Sequence, residues 1–163
     1  MPLAVQFYDV VVWLHVSAVV LAFGPTFAFG IYLATTGRNH RRSIPAVLEA
    51  QSVVLRTMYT VGTLVVIASG IYLAADRWDF GEVFVIVGLV VALGLLGLTY
   101  GFFVPNDRRA LEAARRDLEA AGSGEVEFGE EFRRASAAGA IVGPIAGVII
   151  ILTIYFMAAK PFL

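Results

Sequence analysis

The sequence predicts an all-α fold: a bundle of four transmembrane helices, both termini outside, with a cytoplasmic helical loop between helices 3 and 4. Three observations predict it. Residues 10–35 contain no Asp, Glu, Lys or Arg, and the run exceeds the roughly 20 apolar residues that cross a bilayer. Hydrophobic residues make up 59% of the chain, and the mean hydropathy is +0.81. A soluble domain has an apolar share of about 45–50%. Finally, ten of the twelve Lys and Arg residues fall on one side of a four-span topology.

The 163 residues read as a single integral membrane domain, 1–163. The first span covers about Tyr8 to Thr35, and Gly24-Pro25 near its middle predicts a kink. Residues Met1 to Tyr8 carry no Lys or Arg, so the basic segment of a cleaved signal is missing and the span is expected to be retained. A basic loop with Arg38, His40, Arg41 and Arg42 follows. Ser43 is expected to cap the next helix, with Pro45 in its first turn. That helix, about 44–75, begins as an amphipathic segment with Glu49 and Gln51 and passes Arg56, whose stem can snorkel to the headgroups.

A polar turn, Asp76 to Glu82, leads to a uniformly apolar third span of about 83–104, which Pro105 is expected to close. The excursion 105–134 opens with a soluble helix in which Glu112 and Arg116 are spaced for an i,i+4 pair. Gly122-Ser123-Gly124 ends that helix, and an acidic patch precedes Arg133-Arg134. The last span covers about 135–159.

The basic residues set the orientation. Arg38, Arg41, Arg42 and Arg56 flank the first connection, and Arg108, Arg109, Arg115, Arg116, Arg133 and Arg134 flank the third. Only Arg77 and Lys160 fall on the other side. The positive-inside rule then places both long polar connections in the cytoplasm. The expected location is the inner membrane of a bacterium, multi-pass. Aromatic residues fall into two belts, with Tyr8, Trp13, Tyr72 and Trp78 among the outer ones and Tyr32, Tyr59 and Tyr100 among the inner ones.

Composition excludes several classes. A net charge of −1 leaves no basic excess for nucleic acid. The absence of cysteine removes disulfides, thiolate metal sites and cysteine nucleophiles. No phosphate-binding loop, zinc-protease pair or hydrolase elbow is present. Apart from edge residues, no carboxylate lies inside a span, so a small-solute transporter lacks its usual proton-coupling group. One embedded histidine and few methionines do not supply the several soft ligands that Cu(I) wants.

His15 is the chemical candidate, because an ionisable group in lipid is costly and points to function. Its helical face holds Val12, Ala18, Val19 and Ala22, and the two alanines leave room for a flat group. The pattern suits a haem iron ligated by a neutral imidazole. The alternative is a histidine that hydrogen-bonds a neighbouring helix. Met157, at similar depth on the last span, is the candidate second ligand, with Tyr155 beside it; Met58 lies at the opposite end. The last span also repeats Ala135, Gly139, Gly143 and Gly147 every four residues, a stripe for close helix packing. That stripe can serve a contact within the chain or a homodimer seam. Gly30-Ile-Tyr-Leu-Ala recurs as Gly70-Ile-Tyr-Leu-Ala, too short an echo to establish a duplication.

Four segments together resemble a bacterial family: Trp13-Leu-His-Val16 with Gly24, Ala68-Ser-Gly-Ile-Tyr-Leu-Ala74, Val104-Pro105 with Arg108-Arg109, and Ile154 to Pro161. The chain resembles, nearly end to end, the predicted integral-membrane family catalogued as domain of unknown function 2269. That resemblance implies a four-helix membrane protein. The family is more distantly similar to copper-resistance D membrane domains and to membrane protoporphyrinogen oxidases. Likeness to the latter implies haem binding at the first-helix histidine, here His15. The expected function is therefore a haem b protein for electron transfer or haem handling, with a redox or other membrane protein as partner. A non-enzymatic scaffold or accessory subunit is the alternative, and a small-solute transporter the third.

Overall fold

The computed structural model describes residues 6–160. The first five residues, read above for a missing basic segment, and the closing residues 161–163, including Pro161 of the last resemblance segment, lie outside the described residues. The helices are α1 (Phe7–Asn39), α2 (Ile44–Val54), α3 (Thr60–Arg77), α4 (Val83–Leu98), α5 (Val104–Ala121) and α6 (Glu130–Ala159). A 3-10 turn, Arg41–Ser43, precedes α2. Wide π-type turns, Leu55–Tyr59 and Thr99–Phe103, fuse α2 to α3 and α4 to α5. Four continuous rods result, each long and apolar enough to cross a membrane, and no strand occurs among the described residues.

The rods form a ring. α1 packs on α3, α3 on α4, α4 on α6, and α6 returns to α1. All four contribute to a central core of Ala22, Phe23, Leu55, Tyr59, Leu95, Ala146 and Ile150. Outside the ring, Val20, Ile31, Val90 and Ile141 are exposed. A belt of large apolar side chains facing outward suits lipid rather than water. In lipid no hydrophobic force drives helices together, so close approach of small residues must do so. Gly62 supplies it: a Cβ there would lie 2.7 Å from the Ala22 Cβ and 3.3 Å from the Ala18 carbonyl oxygen.

The two polar connections share one face of the bundle. Arg41 donates to the Val126 carbonyl at 3.1 Å, Arg42 to the Gly124 carbonyl, and Arg115 pairs with Glu49. On the opposite face Arg77 donates to Gln6 at 2.6 Å, and Lys160 lies 3.8 Å over the Trp78 ring. The up-and-down order read from the arginines therefore holds. Below the spans a second core of Ile44, Leu48, Ala110, Ala113, Ala114, Phe132 and Ala135 joins α2, α5 and the start of α6.

Several local expectations change. Pro105 does not close the third helix, which continues as a rod to Ala121. Proline lacks the amide that would bond back to Gly101, and the π-type turn Thr99–Phe103 sits where that bond is missing. The α1 helix contains Pro25 and extends past Thr35 to Asn39. Ser43 makes no side-chain cap, because the 3-10 turn holds it in helical backbone geometry. The fourth rod begins at Glu130, not at 135, where Glu130 binds Arg133 and Arg134. Glu112 pairs with Arg108 rather than Arg116, which reaches Glu131 instead. Gly122 does end α5, with a φ of +53°.

Candidate functional site

The α1/α3 seam carries the site. Along α1 the residues turned towards α3 are His15, Ala18 and Ala22; along α3 they are Gly70, Ser69 and Gly62. Small residues on both helices bring the backbones together, and this places a histidine against a serine. His15 Nδ1 lies 2.9 Å from Ser69 Oγ. Gly70 makes room for the ring, since a Cβ at that position would lie 3.3 Å from His15 Cε1.

The hydrogen-bond chain fixes the proton. Ser69 Oγ donates its single hydrogen to the Val65 carbonyl at 2.5 Å, closer than the Val66 carbonyl at 3.2 Å. A hydroxyl so committed acts as acceptor toward the imidazole. With the hydroxyl so placed, His15 Nδ1 carries the hydrogen and donates it. In a neutral imidazole the lone pair is consequently on Nε2, the form in which histidine binds a metal. Orientation of a ligand histidine through its other nitrogen is the usual outer-shell arrangement of metal sites.

The other expected site residues fall elsewhere. Ala18 and Ala22 are buried against Gly62, so their small side chains serve helix approach and that part of the seam is filled by protein. Met157 packs into the notch at Gly88, where a Cβ would fall on its terminal methyl. It therefore occupies the α4/α6 seam, while His15 occupies the α1/α3 seam. Among the described residues no group of three or more His, Cys, Asp or Glu is placed to hold a metal ion. Of the residues expected to hold haem, His15 alone is a donor on this seam.

The glycine stripe divides. Gly147 receives the Phe27 ring of α1, with Cε1 3.1 Å from a Cβ position, and Gly139 faces Asn106. Both serve contacts within the chain. Gly143 has nothing within 4 Å and lies between the exposed Ile141 and Ile145.

Sequence reasoning passed over two groups. Ser69 sat inside the resemblance segment without a role, though a serine in an apolar span was a signal that something pairs with it. Asp107 was counted only as part of a polar helix. It is 7% exposed, and its Oδ2 accepts a hydrogen bond of 2.7 Å from Gln51 Nε2.

No curated protein and no solved structure matches the chain, so the more distant likeness to copper-resistance D domains and protoporphyrinogen oxidases gains no support. The family model described as predicted integral membrane protein (DUF2269) matches residues 9–161, nearly the whole chain, and the protein belongs to that family.

Proposed function

We propose that this protein binds haem b through His15 Nε2 and serves electron transfer or haem handling in the inner membrane of a bacterium, with its arginine-rich face in the cytoplasm. The observation that carries this reading is the His15–Ser69 hydrogen bond, which holds the ring by Nδ1 and, with the Ser69 hydrogen on Val65, puts the lone pair on Nε2. Bound haem would supply one-electron chemistry at its iron. The chain's own residues do the rest. Ser69 fixes the tautomer and the ring plane, Gly70 leaves the ring its space, and Gly62 with Ala22 holds the two helices at that distance.

With Met157 engaged at Gly88, His15 is the residue that would hold the haem within one copy. A homodimer would use the last helix, where Gly143 is the open position of the stripe. The test is an absorbance spectrum of protein purified in mild detergent from haem-sufficient cells, oxidised and then reduced with dithionite. A Soret band in the wild type and none in an intact, assembled His15→Ala variant is the expected result. A featureless spectrum with haem in excess would remove haem and leave the scaffold reading.

A further inference from the structure

A second buried ionisable group lies outside the spans. Arg56 and Asp76 bound the second span and are 20 positions apart, about 30 Å of helix. Gln51 lies beyond Arg56 on the arginine-rich side, so the Asp107 carboxyl it binds is outside the hydrocarbon. Asp107 sits in the first turn of α5, at the joint where α5 meets α2 and α6. On one side Gln51 of α2 donates to it. On the other, its neighbour Asn106 donates to the Ala135 carbonyl of α6 at 3.1 Å.

The charged groups around this joint are otherwise engaged. On α2, Glu49 pairs with Arg115. On α6, Glu130 holds Arg133 and Arg134, and Glu131 holds Arg116. On α5 itself Arg108 pairs with Glu112, and Arg109 lines an open groove of about 640 Å³ with Asn106, Glu130, Glu131 and Arg134. Among the described residues no cation lies within 4 Å of the Asp107 carboxylate. A buried carboxyl whose partner is a neutral amide favours its protonated form.

We propose that Asp107 and Gln51 form a proton-operated latch: protonated Asp107 holds α5 on α2 and α6, and its ionisation releases that joint on the arginine-rich face. The inference is independent of haem. Burial pushes the Asp107 carboxyl up to about 6, against the lowering hydrogen bonds from Gln51 and Asn106, from an ordinary value of 3.8. The closed joint therefore binds the proton more tightly than the open one. Its extra stability is complete below the ordinary value and is lost as pH rises through about 6. The groove beside it, open and lined by Arg109 and Arg134 as well as Glu130 and Glu131, gives the ionised carboxylate a polar place to turn toward.

Hydrogen exchange of the whole protein in detergent, corrected for the intrinsic pH dependence of exchange, reads the latch directly. The opening constant for amides of α2 and the first two turns of α5 is expected to rise about tenfold from about pH 5 to about pH 7.5, with amides of α3 and α4 unchanged. Asp107→Asn should abolish that pH dependence. Gln51→Glu should move its midpoint upward, because a second carboxyl replaces a stabilising donor. Wild-type exchange in α2 and α5 that does not vary with pH, or an Asn variant that keeps the dependence, would overturn the proposal.

Discussion

His15 and Asp107 make a useful pair to compare. Each is an ionisable side chain on one helix, held by a single neutral group from another. Each lacks a counter-ion among the described residues. The difference lies in the partner. Ser69 uses its hydrogen on its own backbone, so it can only accept from His15, and the histidine keeps a free lone pair. Gln51 donates its amide hydrogen to Asp107, so it opposes protonation without overcoming burial. A lone pair suits a ligand and a retained proton suits a switch. At His15 the chemistry offered follows the direction of one hydrogen bond; at Asp107 it follows burial, against the direction of its hydrogen bond.

The comparison can be broken most severely at its first member. Removing the imidazole in His15→Ala is expected to abolish bound haem while leaving the bundle assembled, as spectra and size-exclusion profiles would record. Ser69→Ala should be the next largest. Loss of the orienting partner is expected to weaken haem affinity by about 10–100-fold, measured by titration in detergent. If Ser69→Ala binds as tightly as the wild type, the tautomer has no bearing on binding. Gly62→Val sharpens the role of the seam. Its Cβ meets Ala22 and the α1 backbone, and such overpacking costs about 1–3 kcal/mol. A lowered melting temperature with weakened haem binding is expected, since the helices that face His15 and Ser69 would be forced apart. The smallest effect belongs to Gly143→Leu. Nothing lies within 4 Å of that position, so the monomer should fold with unchanged stability, and any change in mass by light scattering would mark an association of copies.

Much of the architecture was legible because hydropathy and charge are one-dimensional signals. Four apolar runs and a one-sided distribution of arginine translate directly into spans and their alternation. Pro105 misled because a proline rule describes a regular α-helix, and the π-type turn at Thr99–Phe103 sits where the regular bond is lost. His15 was visible as an ionisable group among apolar ones. Its partner was not, because the pairing with Ser69 spans 54 positions and depends on which faces of α1 and α3 meet. Ala18 and Ala22 looked like space for a ligand and are instead the surface that receives Gly62. A small residue marks close approach, and sequence does not say whether a ligand or a helix approaches. Asp107 was hidden for the opposite reason. It stands in a charged run, Asn106-Asp107-Arg108-Arg109, where burial has no compositional signature.

Nitrogen NMR of the haem-free protein with ¹⁵N-labelled histidine reads the protonation pattern of His15. The chain has only two histidines, so a His40→Gln variant assigns the signals. His15 is expected to be neutral with its proton on Nδ1 and a bare Nε2, and Ser69→Ala is expected to mix the two tautomers. A proton on Nε2 with a bare Nδ1, in the wild type near neutral pH, would contradict that pattern.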